Sequence, residues 1–171
     1  LLGEERSIVT KIPGTTRDTL DTPFAYGDEL LTLIDTAGIR RRGKIERGIE
    51  NYSVIRSLKA ITRSEIVILV LDATDLVTAQ DTHVSSYVVD SFKTMVIAVN
   101  KWDLASKLAI NKTLLLETVQ QRFKFARHAP IRFVSALTGE GVETLIETAI
   151  EVHEQGKTWL PENEFRLAAK T

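Results

Sequence analysis

The chain has 171 residues, 43 % of them hydrophobic and 26 % charged, with 22 Lys and Arg against 23 Asp and Glu. That is one domain's worth of chain with enough apolar material for a core. The near-neutral balance points away from a membrane-surface domain, a broad nucleic-acid footprint or sequence-specific DNA binding, and the lack of Cys excludes thiolate metal sites and Cys nucleophiles.

From the start, Leu1-Leu2-Gly3-Glu4-Glu5-Arg6 shows no basic stretch before an apolar one, so no signal peptide is expected. Position 1 is not Met and is not expected to be a natural start. Strands are predicted at Asp21–Tyr26 and Leu30–Ile34, joined by the tight turn Gly27-Asp28. Ile49–Arg63 has helical spacing. Ile66–Leu71 reads as a strand buried on both faces, and Ala79–Ser91 as the helix after it. A second buried strand, Thr94–Val99, leads to a helix over Ile110–Phe125. Pro130–Val134 is a short strand and Val142–His153 a last amphipathic helix, with Gly139 and Gly141 between them. The apolar runs are strand-sized, far too short to span a bilayer. Beyond Gly156 the pattern fades, and residues 156–171 read as a linker after a domain over 1–155.

Alternating strands and helices are the signature of a doubly wound, mostly parallel α/β sheet. In such sheets ligands sit at the carboxyl ends of the strands. Three strands here run directly into polar signatures: Leu33-Ile34 into Asp35-Thr36-Ala37-Gly38, Val99 into Asn100-Lys101-Trp102-Asp103, and Val134 into Ser135-Ala136.

The stretch Asn100-Lys101-Trp102-Asp103 is the most informative. Guanine presents two adjacent donors, N1–H and the exocyclic amine, and one carboxylate accepts from both. Adenine would leave that carboxylate unpaired, which in general discriminates by roughly 10⁴–10⁵-fold. Asp103 is therefore the candidate base reader, with Asn100 bridging towards the phosphate loop and the Lys101 stem along the base plane. Taken alone, the four residues are also compatible with a strand that merely ends in a polar loop. Ser135 and Ala136 would offer a small side chain and free backbone N–H groups to guanine O6.

Asp35 can hold Mg²⁺ through a water, and the Gly38 amide can meet a γ-phosphate because no side chain blocks the approach. An ordinary strand-to-turn transition is the alternative there. Pro13-Gly14-Thr15-Thr16-Arg17-Asp18 is a hydroxyl-rich loop suited to Mg²⁺ and the γ-phosphate, with Thr16 the metal-ligand candidate before Thr15. Its bland alternative is a capped turn. The order of these signals, each in its strand context, is what identifies a guanine-nucleotide-binding P-loop NTPase-type fold.

Gly38–Lys44 matches G-x-x-x-x-G-K, but the next position needs Ser or Thr and holds Ile45. It is read as a basic switch segment, and no other segment fits, so the domain is expected to lack its first strand and phosphate loop. Arg40-Arg41-Arg42 is read as solvated, with an RNA or phosphate contact as the alternative. His83, His128 and His153 have no ligand spacing, and Trp159 is read as packing the last helix or linker.

With these residues in view, residues 1 to about 153 resemble the second G domain of the Der (EngA) family of bacterial double GTPases. The resemblance rests on Leu2–Arg6, Ile12–Asp18, Asp35–Lys44 and Asn100–Leu104, and the arginines after Asp-Thr-Ala-Gly separate it from Era or MnmE. It implies Mg²⁺-assisted GTP hydrolysis, association with the large ribosomal subunit and a cytoplasmic location. It also implies that Ile39 stands where Ras-like enzymes carry a water-orienting Gln, so that catalysis rests on a positioned water, the metal and K⁺ held by carbonyls near Thr10, Ile12 and Thr15. Lys11 departs from the acidic residue usual at its position, Trp159–Thr171 matches poorly, and K⁺ in similar domains also needs a phosphate-loop ligand. In the intact protein, Thr16 and Gly38 are the expected catalytic residues, Thr16 and Asp35 the metal ligands, and Asp35–Ile39, Asn100–Asp103, Ser135 and Ala136 the GTP/GDP-binding residues. The isolated 171 residues are expected to bind GTP weakly or not at all. The competing reading is a nucleotide-free interaction module on a G-domain scaffold.

Overall fold

The turn expected at Gly27-Asp28 joins strands β1 (Asp21–Tyr26) and β2 (Glu29–Ile34) in an antiparallel pair closed by Tyr26 opposite Glu29. Gly27 has φ +59° while Asp28 keeps a negative φ, the combination of a type II′ hairpin turn. A Cβ at Gly27 would meet nothing within 4 Å, so the glycine is required by its backbone angle rather than by space. The computed structural model describes residues 21–34, 57–75, 77–105 and 107–157. The chain divides into two units, 1–65 and 66–171. In the first, the hairpin is accompanied by helix α1, described over 57–63, whose Arg63 pairs with Asp21.

The second unit is a three-stranded parallel sheet in the order β3 (Ile66–Asp72), β4 (Thr94–Asn100), β5 (Ile131–Phe133). Helix α2 (Ala79–Asp90) connects the first two strands, and α3 (Lys112–Arg122) with a one-turn 3₁₀ helix (Lys124–Ala126) connects the last two. Helix α4 (Val142–Lys157) follows β5. Side chains alternate across a strand. Val96 and Ala98 therefore share one face, where they pack with Val134, Leu145 and Ala149, so α4 covers that face. Met95, Ile97 and Val99 point the other way, and α2 packs against β3 and β4. All five residues from Met95 to Val99 are at most 1 % exposed. Burial on both faces, expected for this strand, is what the structure shows.

The same expectation fails for β3. Val70 is 54 % exposed, and Ile66 and Ile68 are only partly buried. Among the described residues β3 has a hydrogen-bonded neighbour on one side, whereas β4 has one on each side.

Local chemistry sets the element ends. Thr78 and Asp81 form a reciprocal capping box at the start of α2, and the Asn111 side chain accepts from the Leu114 amide at the start of α3. Helix α3 is shorter than the Ile110–Phe125 expected, because Phe123 leaves the helical region at φ −105°, ψ 33°. Helix α4 runs past His153 and through Gly156, since a single glycine costs a helix only about 1 kcal/mol relative to Ala.

Candidate functional site

Two of the three polar strand ends lie in the described residues, and they meet. Strand β4 ends at Asn100, and Lys101 then turns the backbone through the left-handed region (φ 65°, ψ 32°) into a one-turn 3₁₀ helix, Trp102–Leu104. The Asn100 side chain fastens this turn to the loop after β5. Its Oδ1 accepts from the Lys101 amide (2.7 Å) and from the Ala136 amide (2.9 Å). The Trp102 amide donates to the Val134 carbonyl at 3.0 Å, a second link between the same loops.

Asp103 is the partly exposed acid at the centre of this corner. The fully buried Ser135 hydroxyl donates to its Oδ1 at 2.6 Å, the short charge-assisted bond that fixes a carboxylate's direction. Ser135 Oγ in turn accepts from the Thr138 amide at 3.2 Å. The loop after β5 closes tightly because Gly141 has φ +71°, and a Cβ there would collide with the Phe133 carbonyl oxygen. Only glycine fits such a position without a backbone shift.

The backbone donors differ from expectation. The amides of Ser135 and Ala136, expected to be free, are engaged with the Glu140 carbonyl (2.9 Å) and with Asn100 Oδ1. The loop satisfies its own amides by folding back on Glu140 and by bonding across to β4. Among the described residues, the next amide, that of Leu137, has no hydrogen bond.

Trp102 serves the framework. Its ring lies 4.5 Å from that of Phe133 at 56°, and the Lys112 ammonium sits 4.8 Å from the Phe133 ring centre. Aromatic pairs and cations over ring faces are both attractive at such distances. Lys101 Nζ is 2.7 Å from Asp72 Oδ2 at the end of β3. That acid was not singled out from the sequence, although Leu71-Asp72-Ala73-Thr74 is a fourth apolar strand running into polar residues.

Asn100, Lys101, Asp103, Leu104, Ala136 and Leu137 line a recess of about 380 Å³, within the range of small-molecule sites. Its chemistry fits a purine with adjacent donors: one directed carboxylate, apolar walls and an uncommitted amide. Thr16, Asp35, Thr36, Ala37, Gly38 and Ile39 lie outside the described residues, as do the arginine-rich segment and Trp159. His83 and His128 are exposed and His153 half-buried. Among the described residues no cluster of three or more His, Asp or Glu could hold a metal ion, and no helix is long and apolar enough to cross a membrane.

Comparison with known proteins bears on the family and the fold. Residues 1–101 match the family model described as 50S ribosome-binding GTPase. The chain is 51 % identical over 165 residues to GTPase Der of Chloroflexus aggregans, covering 96 % of this chain and 37 % of that protein. It is 54 % identical over 147 residues to GTPase Der of Chloroflexus aurantiacus, covering 86 % of this chain and 33 % of the relative. The chain thus spans about a third of the length of these relatives. A crystal structure of Aquifex aeolicus Era bound to GDP and AlF₄⁻ superposes with a TM-score of 0.64 at 20 % identity, over 95 % of this chain and 51 % of that one. At that identity the likeness shows the fold, the α/β G-domain fold expected from the alternating elements together with the order of the motifs.

Proposed function

The chain belongs to the 50S ribosome-binding GTPase family, and from that premise we propose that it carries the base-reading part of a GTP-binding and GTP-hydrolysing domain acting in ribosome assembly. The observation that supports this best is the Ser135–Asp103 bond at 2.6 Å, which turns a carboxylate into a fixed acceptor beside the recess. Asp103 would accept from guanine N1–H and the exocyclic amine. The Leu137 amide is free to donate to O6, and Asn100 Nδ2 is uncommitted because the described bonds of Asn100 use Oδ1. The Lys101 stem would lie along the base plane, and Trp102 would hold the loop by its contact with Phe133.

For hydrolysis, Thr16 and Asp35 would hold Mg²⁺, Gly38 would meet the γ-phosphate, and Thr36, Ala37 and Ile39 would complete that loop. Bound Mg²⁺ supplies neutralisation of charge on the phosphates. K⁺ bound by carbonyls near Thr10, Ile12 and Thr15 belongs to the same proposal, as do the large ribosomal subunit as partner and a cytoplasmic location. The 171 residues hold no complete phosphate-loop pattern, so by themselves they are expected to bind nucleotide weakly or not at all.

Calorimetry on the full-length polypeptide tests the base assignment. GDP should bind and ADP should not. Asp103→Asn should weaken GDP by at least about 100-fold, on the scale of an unmatched buried polar group. The same variant should gain xanthosine diphosphate, whose C2 carbonyl accepts where guanine donates. Equal affinity of the unsubstituted protein for ADP and GDP would overturn the assignment, and binding of neither would favour a nucleotide-free interaction module.

A further inference from the structure

Asp72 ends β3 with its side chain only 4 % exposed, a costly place for a carboxylate unless its oxygens are satisfied. Among the described residues, both the turn after the strand and Lys101 satisfy them. Oδ1 accepts from the Thr74 amide at 2.9 Å and the Thr74 hydroxyl at 2.7 Å, both in the turn that follows the strand. Oδ2 is thereby aimed outward, and the Lys101 ammonium meets it at 2.7 Å. The Ala73 amide adds a bond to the Asn100 carbonyl at 2.9 Å, so the end of β3 holds the base-reading turn through both backbone and side chain.

Lys101 needs such a hold. Its backbone is left-handed (φ 65°), a region that residues other than glycine seldom adopt. Its side chain is 48 % exposed and flexible, and it lines the recess beside Asp103. A long exposed lysine would sample many rotamers, and its stem would have to be ordered whenever a base arrived. With the ammonium fixed on a buried, pre-aimed carboxylate, the stem is ordered beforehand, and binding avoids that entropic cost.

We propose that Asp72 is a positioning residue for the nucleotide base, acting through Lys101. This rests on the guanine reading above and deepens it. Asp72 is not among the residues that line the recess. Its effect is on how long the base stays, so it should appear in the dissociation rate.

The test uses the full-length polypeptide with GDP and inosine diphosphate, which lacks the exocyclic amine. Asp72→Asn keeps the shape and the Thr74 bonds but removes the charge facing Lys101. It is expected to speed GDP dissociation about tenfold. The preference for GDP over inosine diphosphate should stay within twofold, because that ratio reports Asp103. In a Lys101→Met background, which retains an aliphatic stem without the ammonium, Asp72→Asn should change dissociation by less than twofold. An equal loss in both backgrounds, or collapse of the GDP preference, would show that Asp72 merely supports the loop and overturn the proposal. So would an unchanged rate in the single variant. Lys101→Met alone gives a reading independent of any misfolding of Asp72→Asn, since Lys101 lies at the surface. It should reproduce the tenfold acceleration, and an effect below twofold overturns the proposal. Failure of the unsubstituted protein to bind GDP would overturn the guanine reading itself, a distinct outcome from any of these.

Discussion

The two ends of the β3–β4–β5 sheet are built from the same strands and treat polar groups in opposite ways. At the carboxyl end, Thr74 aims Asp72 at Lys101, Asn100 Oδ1 holds the Lys101 and Ala136 amides, and Ser135 aims Asp103. At the amino end, the flanking Glu65, Asp90 and Phe92 are exposed to water. Helix α2 ends there with the Phe92 amide on the Val89 carbonyl (2.9 Å) and the Lys93 amide on the Val88 carbonyl (3.1 Å). That is a Schellman ending, with Phe in the left-handed position where glycine is usual, its side chain 97 % exposed. Helix α4 ends nearby, with Gly156 beside Thr94 at the start of β4. Order is thus concentrated where a ligand would need directed acceptors, and an interlocked corner should respond to single substitutions far more than the open end.

Beyond the base-reading acid itself, the largest effect is expected at Ser135→Ala. The hydroxyl is fully buried, donates to Asp103 and accepts from the Thr138 amide, so its removal strips one bond from a carboxylate and one from a backbone donor. Buried groups left unpaired cost about 1–3 kcal/mol. Part of this should appear as GDP affinity lower by about tenfold or more, read by calorimetry, and part as a lower melting temperature. If stability falls and affinity does not, Ser135 serves the fold alone, and the contrast between the two ends loses its functional meaning.

A smaller effect of opposite sign is expected at Phe92→Gly. A left-handed L-residue costs roughly 1–2 kcal/mol, offset in part by the greater freedom of glycine in the unfolded chain. With almost no side-chain contact to lose, the variant should gain up to about 1 kcal/mol in denaturant unfolding. GDP affinity should not move. A destabilised variant would mean that the exposed ring makes contacts that its 97 % exposure does not suggest.

The carboxyl end was far more legible in the sequence than the framework around it. Asn100–Asp103 and Ser135-Ala136 could be identified because a ligand dictates residue type, and strand ends are easily located after apolar runs such as Met95–Val99. Their meeting in space follows from parallel strands sharing one edge. What escaped was set by neighbours distant in sequence. Whether Val70 is buried depends on where β3 lies in the sheet, and its alternation is indistinguishable from that of β4. That Ser135 and Ala136 spend their amides on Glu140 and Asn100 depends on loop closure at Gly141. Asp72 does not stand out in the sequence because an acid after a strand has many uses, and only the approach of Lys101 selects one.

The smallest expected effect belongs to the last turn of α4, where Lys157 bonds Glu154 at 2.9 Å, both fully in solvent reach. The hydrogen bond from Lys157, then its charge, holds the Glu154 carboxyl below the usual value, with a lesser contribution from His153. For a carboxylate lowered on folding, the stabilisation is present above the unfolded-state pKa and is lost as pH falls through the folded-state one. Lys157→Ala should therefore raise the Glu154 pKa, measured by carbon-13 NMR titration, and flatten this acidic-side dependence. Added salt should shrink the difference between the two proteins, because an exposed pair is screened. GDP affinity should be untouched by either change. A drop in affinity would show that the open end communicates with the corner through α4, whose Leu145 and Ala149 pack on the strand that carries Asn100.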